Sequence, residues 1–283
     1  MQKIDRLGWT AGISLQAYGR SIGIRVNDAT VLERLPRCLP YGWQISREPV
    51  VERLYSLHVG RAPKSAHTRC FHVLYQDTAR IERTQDLEQL FEALSSDLRL
   101  YVAEYAKKRV FVHAGVVGWR NRAILIPGRS FSGKSTLTAE LVRAGATYYS
   151  DEYAILDARG RVHPFLKPLS MRNGGEEQTD VAAEQLGAVA EDRPVPVALI
   201  VVSNFKPAAS WRPRVLSTGQ GVLELLANTV AARRQPALTL ATLGKAVTGA
   251  SVLKSNRGEA APTAAEILRW LERNSGGSAR GSK

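Results

Sequence analysis

The string Gly128-Arg-Ser130-Phe-Ser132-Gly133-Lys134-Ser135 fits the pattern G-x-x-x-x-G-K-[S/T]. The apolar run Ala123-Ile124-Leu125-Ile126 precedes it, and Leu137 and Leu141 follow at helical spacing. A chain with this arrangement must form a buried strand, a tight loop and a helix in that order. Glycines allow the turn that points successive backbone N–H groups at one anion, and the helix N-terminus favours negative charge there. The expected ligand is a nucleotide, ATP with Mg2+. Gly128, Ser130, Ser132, Gly133, Lys134, Ser135 and Thr136 surround its phosphates, Lys134 reaches the β- and γ-phosphates, and Ser135 ligates the metal.

The remaining composition narrows the setting. At 283 residues and 44% hydrophobic content the chain holds one large domain or two small ones with a substantial core. Two cysteines outside any C-x-x-C pair indicate neither a disulfide framework nor a cysteine-rich zinc site, and suit a reducing compartment. No apolar run approaches the roughly 18 residues of a membrane span, and no signal-peptide pattern opens the chain. A cytoplasmic protein without a membrane partner is therefore expected. The net charge of +13 attracts anions. The cations are scattered, however, and Lys107-Lys108-Arg109 is too short for a basic arm, so no nucleic-acid partner is expected. Oligomeric state is left open, a homo-oligomer included.

The pattern along the chain predicts a smaller α+β lobe over residues 1–108, a core over 109–273 and a flexible tail over 274–283. In the lobe, short alternating stretches such as Ile22-Gly-Ile24-Arg-Val26 are followed by a helical repeat, Leu87, Leu90, Phe91, Leu94, Leu98 and Val102, predicting a helix over 86–107. In the core, strands over 110–117 and 123–126 form a hairpin around Gly118-Trp-Arg-Asn121, and Gly145 closes the helix after the glycine-rich loop. Asp157-Ala-Arg-Gly160 turns a second hairpin, and Val195 to Val202 form a buried strand by continuous apolarity. A helix is expected over 221–232, and Thr263-Ala-Ala-Glu266 reads as a capping box before a last helix carrying Ile267, Leu268, Trp270 and Leu271.

A glycine-rich phosphate loop alone does not select a reaction. Asp151-Glu152 ends the apolar-aromatic stretch after the loop helix; if that stretch returns as a parallel strand, the pair faces the γ-phosphate and Mg2+ at the carboxyl ends of the strands. No Asn-Lys-x-Asp element is present, which argues against a GTPase. Leu216-Ser-Thr-Gly-Gln220 lies after the acidic pair, in the wrong order for an ABC-transporter signature, and reads as a polar helix entry. His113 stands on the strand before the loop, in Val112-His113-Ala-Gly115. His58, His67, His72 and His163 are read as structural.

This set resembles the HPr kinase/phosphorylase family, including its divergent HPr-kinase-like members. The matching residues are His113, the loop Gly128 to Ser135 and Asp151-Glu152, and the resemblance covers residues 110–157. It implies an α/β fold: an HPr-kinase-like P-loop core with a mixed sheet. It further implies transfer of phosphate to a serine or threonine hydroxyl of a peptide or protein. By that resemblance Asp151 accepts the hydroxyl proton, His113 tunes or orients that carboxylate, Lys134 holds phosphate, and Glu152, replacing an Asp, helps hold Mg2+ or water. Thr136 stands in place of the family's Glu, and the Glu-x-Arg-Gly-x-Gly segment is absent. These departures point away from HPr as acceptor and toward relatives that modify ribosomally made peptides, lasso peptides among them. Lys167, Arg172 and Arg257 are additional candidate cations around the triphosphate. A small-molecule kinase and a non-catalytic nucleotide-binding module stay open as alternatives.

Overall fold

The computed structural model describes residues 3–60, 69–129, 132–172, 178–181, 185 and 193–274. The chain divides into two compact units, Met1–Lys108 and Arg109–Lys283. The described part is mixed α/β, with two mixed sheets. No helix among the described residues is long and apolar enough to cross a membrane.

The first unit contains β1 (Ala11–Ala17), β2 (Arg20–Val26), β3 (Gln44–Ser46), β4 (Arg53–His58), β5 (His72–Gln76), β6 (Ala79–Thr84) and α1 (Leu87–Tyr105). Its sheet has the order β3-β1-β2-β4-β5-β6. Tyr18 and Gly19, both at positive φ, make the two-residue turn between β1 and β2 that matches strand twist. Asp86 caps α1 by accepting from the Glu88 N–H at 2.8 Å. The helical repeat then places Leu90, Leu94, Leu98 and Val102 in one core with Leu15, Ile22, Ile24 and Leu57 of the sheet.

The second unit begins with β7 (Val110–Trp119), β8 (Arg122–Pro127), α2 (Lys134–Arg143), β9 (Thr147–Ser150), β10 (Tyr153–Leu156) and β11 (Arg161–His163). It continues with β12 (Leu169–Arg172), β13 (Gln178–Val181), β14 (Val195–Phe205), β15 (Arg214–Val215), α3 (Thr218–Leu226), α4 (Pro236–Thr248), β16 (Ser251–Arg257) and α5 (Ala260–Asn274). The main sheet runs β11-β10-β7-β8-β14-β16-β15, with β9 also on β7. Strands β8, β14 and β16 are parallel neighbours, so their carboxyl ends gather on one edge. They are covered on both faces, which explains their continuous apolar runs. Ile124 and Ile126 pack with α2 and α5, whereas Ala123 and Leu125 pack with residues of α3 and α4.

Several local expectations are revised. Strand β7 runs through to Trp119, and the hairpin turn narrows to Arg120-Asn121, both at positive φ. Helix α3 starts at Thr218, behind a capping box of Ser217 and Gln220, and ends at Leu226 rather than spanning 221–232. Thr263 caps nothing: it lies inside α5, and its hydroxyl donates back to the Glu259 carbonyl at 2.7 Å. Helix α4 was not anticipated, because Thr239, Thr242, Val247 and Thr248 dilute its helical propensity. Pro236 at its first turn and the burial of Leu243, Ala246 and Val247 establish it. Residues 275–283 of the expected tail lie outside the described residues, and Asn274 ends α5.

Gly115 sets the distance between α2 and the sheet. A Cβ there would run into the hydroxyl of Thr138, which is fully buried on α2. Gly115→Ala is expected to destabilise the protein by about 1–3 kcal/mol. Thr138→Ala, which removes the clashing atom, should recover most of that loss, as read in a double-mutant cycle of urea unfolding. Additive effects of the two changes would show that the close approach does not matter.

Candidate functional site

Strand β7 carries the first candidate group and positions the others through backbone bonds. On one edge, the ladder to β8 ends with Ala114 opposite Pro127, and the Gly128 N–H then donates to the His113 carbonyl at 3.2 Å. The His113 N–H donates to the Asn228 carbonyl at 2.7 Å, which ties the same residue to the turn after α3. On the other edge, His113 pairs with Tyr153 of β10, and their rings meet edge to face at 5.7 Å.

Asp151 and Glu152 lie between β9 and β10. The expectation of a strand returning parallel beside the loop is corrected: β9 and β10 both pair antiparallel with β7. Val116 faces Ser150 and His113 faces Tyr153, so the acidic pair lies opposite Gly115 and Ala114 in unbroken register. Here the ladder opens, retaining the bond from the Ala114 N–H to the Glu152 carbonyl at 3.2 Å. The Ser150 hydroxyl accepts from the Glu152 and Tyr153 N–H groups at 3.2 and 3.1 Å and fixes the bend. Glu152 Oε2 lies 3.2 Å from Lys167 Nζ, and the Lys167 carbonyl accepts from the Tyr148 hydroxyl at 2.6 Å.

The loop itself folds around Gly133 and Lys134. Gly133 adopts φ +81 as the N-cap residue of α2, and a Cβ there would collide with the Arg257 guanidinium. Arg257 ends β16 and is only 2% exposed. Its Nη2 donates to the Gly133 carbonyl at 2.8 Å and its Nη1 to the Gly258 carbonyl at 3.0 Å. Its Nε is buried without a hydrogen-bond partner among the described residues. Burial draws the guanidinium pKa down, and Glu259 opposes that shift. Lys134, 7% exposed, donates to the Arg129 carbonyl at 3.1 Å across the loop. Burial lowers its pKa too, while Asp151 and Glu152 favour the charged form. The Ser132 hydroxyl is buried with no hydrogen-bond partner among the described residues. Ser135 is partly buried and Thr136 is exposed.

Lys134 is within electrostatic reach of Asp151 and Glu152, and His113 of Lys134 and Glu152. Of the three additional cations, Lys167 joins Glu152 and Arg257 braces the loop, whereas the Arg172 side chain lies outside the described residues, as does Ser130. The bracing role of Arg257 was not anticipated; the nearest sequence signal is its place before Gly258 at the end of a strand. The site can receive an anion at the loop and has a carboxylate pair alongside.

No protein-family model matches the chain, and no curated protein matches it. Among solved structures, the HPr(Ser) kinase/phosphatase from Coxiella burnetii is similar over 59% of this chain and 99% of its own length, at 15% identity and a TM-score of 0.33. So distant a likeness assigns no residue a role.

Burial, then the Lys134 charge, push the His113 pKa down to about 4 against the pull of Glu152. The ring is neutral at pH 7. With the folded value below the unfolded value of about 6.5, the unfolded chain binds the extra proton between those limits. The His113 contribution is thus present above pH 6.5 and lost as pH falls toward 4, by up to about 3 kcal/mol. NMR titration should place this imidazole near pKa 4, and His113→Gln should flatten the acid limb of the stability curve. An ordinary titration near 6.5 would contradict the buried placement.

Proposed function

We propose that the chain is an ATP-dependent kinase that transfers the γ-phosphate to a serine or threonine hydroxyl of a peptide or protein. The observation that carries this reading is that Asp151 and Glu152, between two strands that pair on β7, lie within electrostatic reach of Lys134 at the end of the glycine-rich loop. A phosphate-binding loop alone would suit any nucleotide-binding protein. A carboxylate pair beside its lysine adds a proton acceptor, which phosphoryl transfer to a hydroxyl uses.

The loop fits a polyphosphate. The buried Ser132 hydroxyl, without a hydrogen-bond partner among the described residues, is a donor for a phosphate oxygen, and Lys134 and Arg257 supply buried positive charge. Their carbonyl partners offset part of the cost of burying these cations, and an anion bound beside them would offset more. Mg2+ would be held by Ser135 and Glu152 together with phosphate oxygens; when bound, it neutralises charge on the phosphates.

In this reading Lys134 holds the transferring phosphate, and Asp151 accepts the proton from the attacking hydroxyl. His113, neutral at pH 7, adds no third cation and orients the carboxylate side of the site. Lys167 restrains Glu152 through their ion pair. Arg257 acts through the loop by holding the Gly133 carbonyl, and so fixes the turn that leads into α2.

The test is incorporation of labelled phosphate from ATP into peptide and protein acceptors, with ATP affinity measured in parallel. Lys134→Ala should abolish transfer and weaken ATP binding. Asp151→Asn should reduce transfer by about 100-fold or more while ATP stays bound, in line with the usual contribution of a general base. Arg257→Met should weaken ATP binding about tenfold, a loss of about 1.4 kcal/mol. Full transfer by both Lys134→Ala and Asp151→Asn would refute the assignment. ATP binding by the wild-type chain with no transfer to any acceptor would leave a nucleotide-dependent binding module.

A further inference from the structure

The chain after β14 and the edge formed by β15 and β16 line an open concavity of about 490 Å³, on which Lys206, Arg212 and Arg214 are exposed. Its wall carries Lys206, Arg212, Arg214 and Lys254, with Ser255 and Asn256 as neutral polar groups and no acidic side chain. Lys254 is paired with Glu224. Lys206, Arg212 and Arg214 have no carboxylate partner among the described residues. Scattered surface cations are ordinary in a chain of net charge +13. Three cations without a carboxylate partner on one concavity, beside the paired Lys254, give it a positive potential that attracts an anion.

The cavity is built onto the glycine-rich loop. The Lys206 N–H donates to the Arg257 carbonyl at 2.8 Å, and Arg257 in turn holds the Gly133 carbonyl. Gly258 lies so close to the cavity wall that a Cβ on it would stand 2.5 Å from the Ala209 carbonyl oxygen. Phe205, the residue before Lys206, has its Cβ 3.8 Å from the position a Cβ would take on Gly133. The Arg212 N–H donates to the Ser255 hydroxyl at 3.1 Å, closing the wall. The wall of the concavity is therefore joined through Arg257 to the loop that would hold the transferring phosphate.

We propose that this cavity binds an acidic segment of the acceptor polypeptide, a short stretch of Asp or Glu flanking the hydroxyl to be phosphorylated. The assignment of that segment to an acceptor rests on the kinase reading; the binding itself does not. Cations with hydroxyl and amide groups between them suit carboxylates. The wall has no aromatic ring on which a nucleobase would stack, which favours a peptide over a nucleic acid.

The test is fluorescence anisotropy of labelled hexaglutamate on the full-length chain, with ATP affinity and the unfolding midpoint measured for each variant. Arg212→Glu/Arg214→Glu should weaken hexaglutamate binding at least tenfold with ATP affinity unchanged. The neutral pair Arg212→Gln/Arg214→Gln should weaken it less and serves if the charge reversal perturbs folding. Lys134→Ala should leave hexaglutamate binding intact. Unchanged binding by both arginine pairs would overturn the proposal, as would loss in Lys134→Ala, which would place the anion at the glycine-rich loop. Displacement by equimolar inorganic phosphate would reveal a small-anion site, and tighter binding of a single-stranded oligonucleotide through the same arginines would reveal a nucleic-acid site; either overturns it. Hexaglutamate binding through Arg212 and Arg214 in a chain that transfers no phosphate would keep this site and refute the kinase reading alone.

Discussion

The hydrogen-bond ladder of β7 is the constraint on which the candidate site depends. One edge of that strand delivers the glycine-rich loop through the bond between Gly128 and His113, and the other delivers Asp151 and Glu152 through the bond between Ala114 and Glu152. His113 lies between them on the same strand. A one-residue slip would turn its side chain to the opposite face and separate it from Tyr153. The relative placement of these groups is thus set by main-chain bonds, which are stiffer than contacts between long side chains. Gly115 adds the third dimension by letting α2 approach the strand where Thr138 packs.

Charge is distributed over this frame unequally. Lys134 and Arg257 are cations removed from water, and the cost of removing them is offset by backbone carbonyls at Arg129, Gly133 and Gly258 and by the nearby acids. His113 avoids adding to the repulsion by remaining neutral. Glu152 is balanced by Lys167. The result is two buried cations, Lys134 after β8 and Arg257 at the end of β16. The cavity beside β15 and β16 extends the same sign of charge outward from them.

Much of the fold was legible because its signals are local. Asp86 and the apolar repeat behind it specify α1 with little help from the rest of the chain; the polar stretch 216–220 was legible as the entry to α3, though the helix begins within it at Thr218. Where tertiary packing outweighed propensity, local reading failed: α4 is rich in threonine yet helical because its apolar face is buried. Thr263 matched a capping pattern, but α5 begins earlier, at Ala260, so its hydroxyl bonds backward within the helix. The acidic pair was recognisable as a candidate, but its placement was misread, because a strand joined through one helix can pair on either side of the sheet and β7 intervenes between β8 and β9.

The sequence by itself determined the strand, loop and helix around Lys134, the buried run of β14 and the amphipathic α1. Each is encoded in residues near in the chain, through turn geometry, apolar spacing and caps. Only the tertiary structure decided that Arg257, 124 residues away from Gly133, braces the loop, that Lys167 pairs with Glu152, and that Gly115 admits Thr138. These contacts depend on which strands become neighbours. That choice is made by burial of both faces of the sheet at once, a property of the assembled layers that no single segment contains.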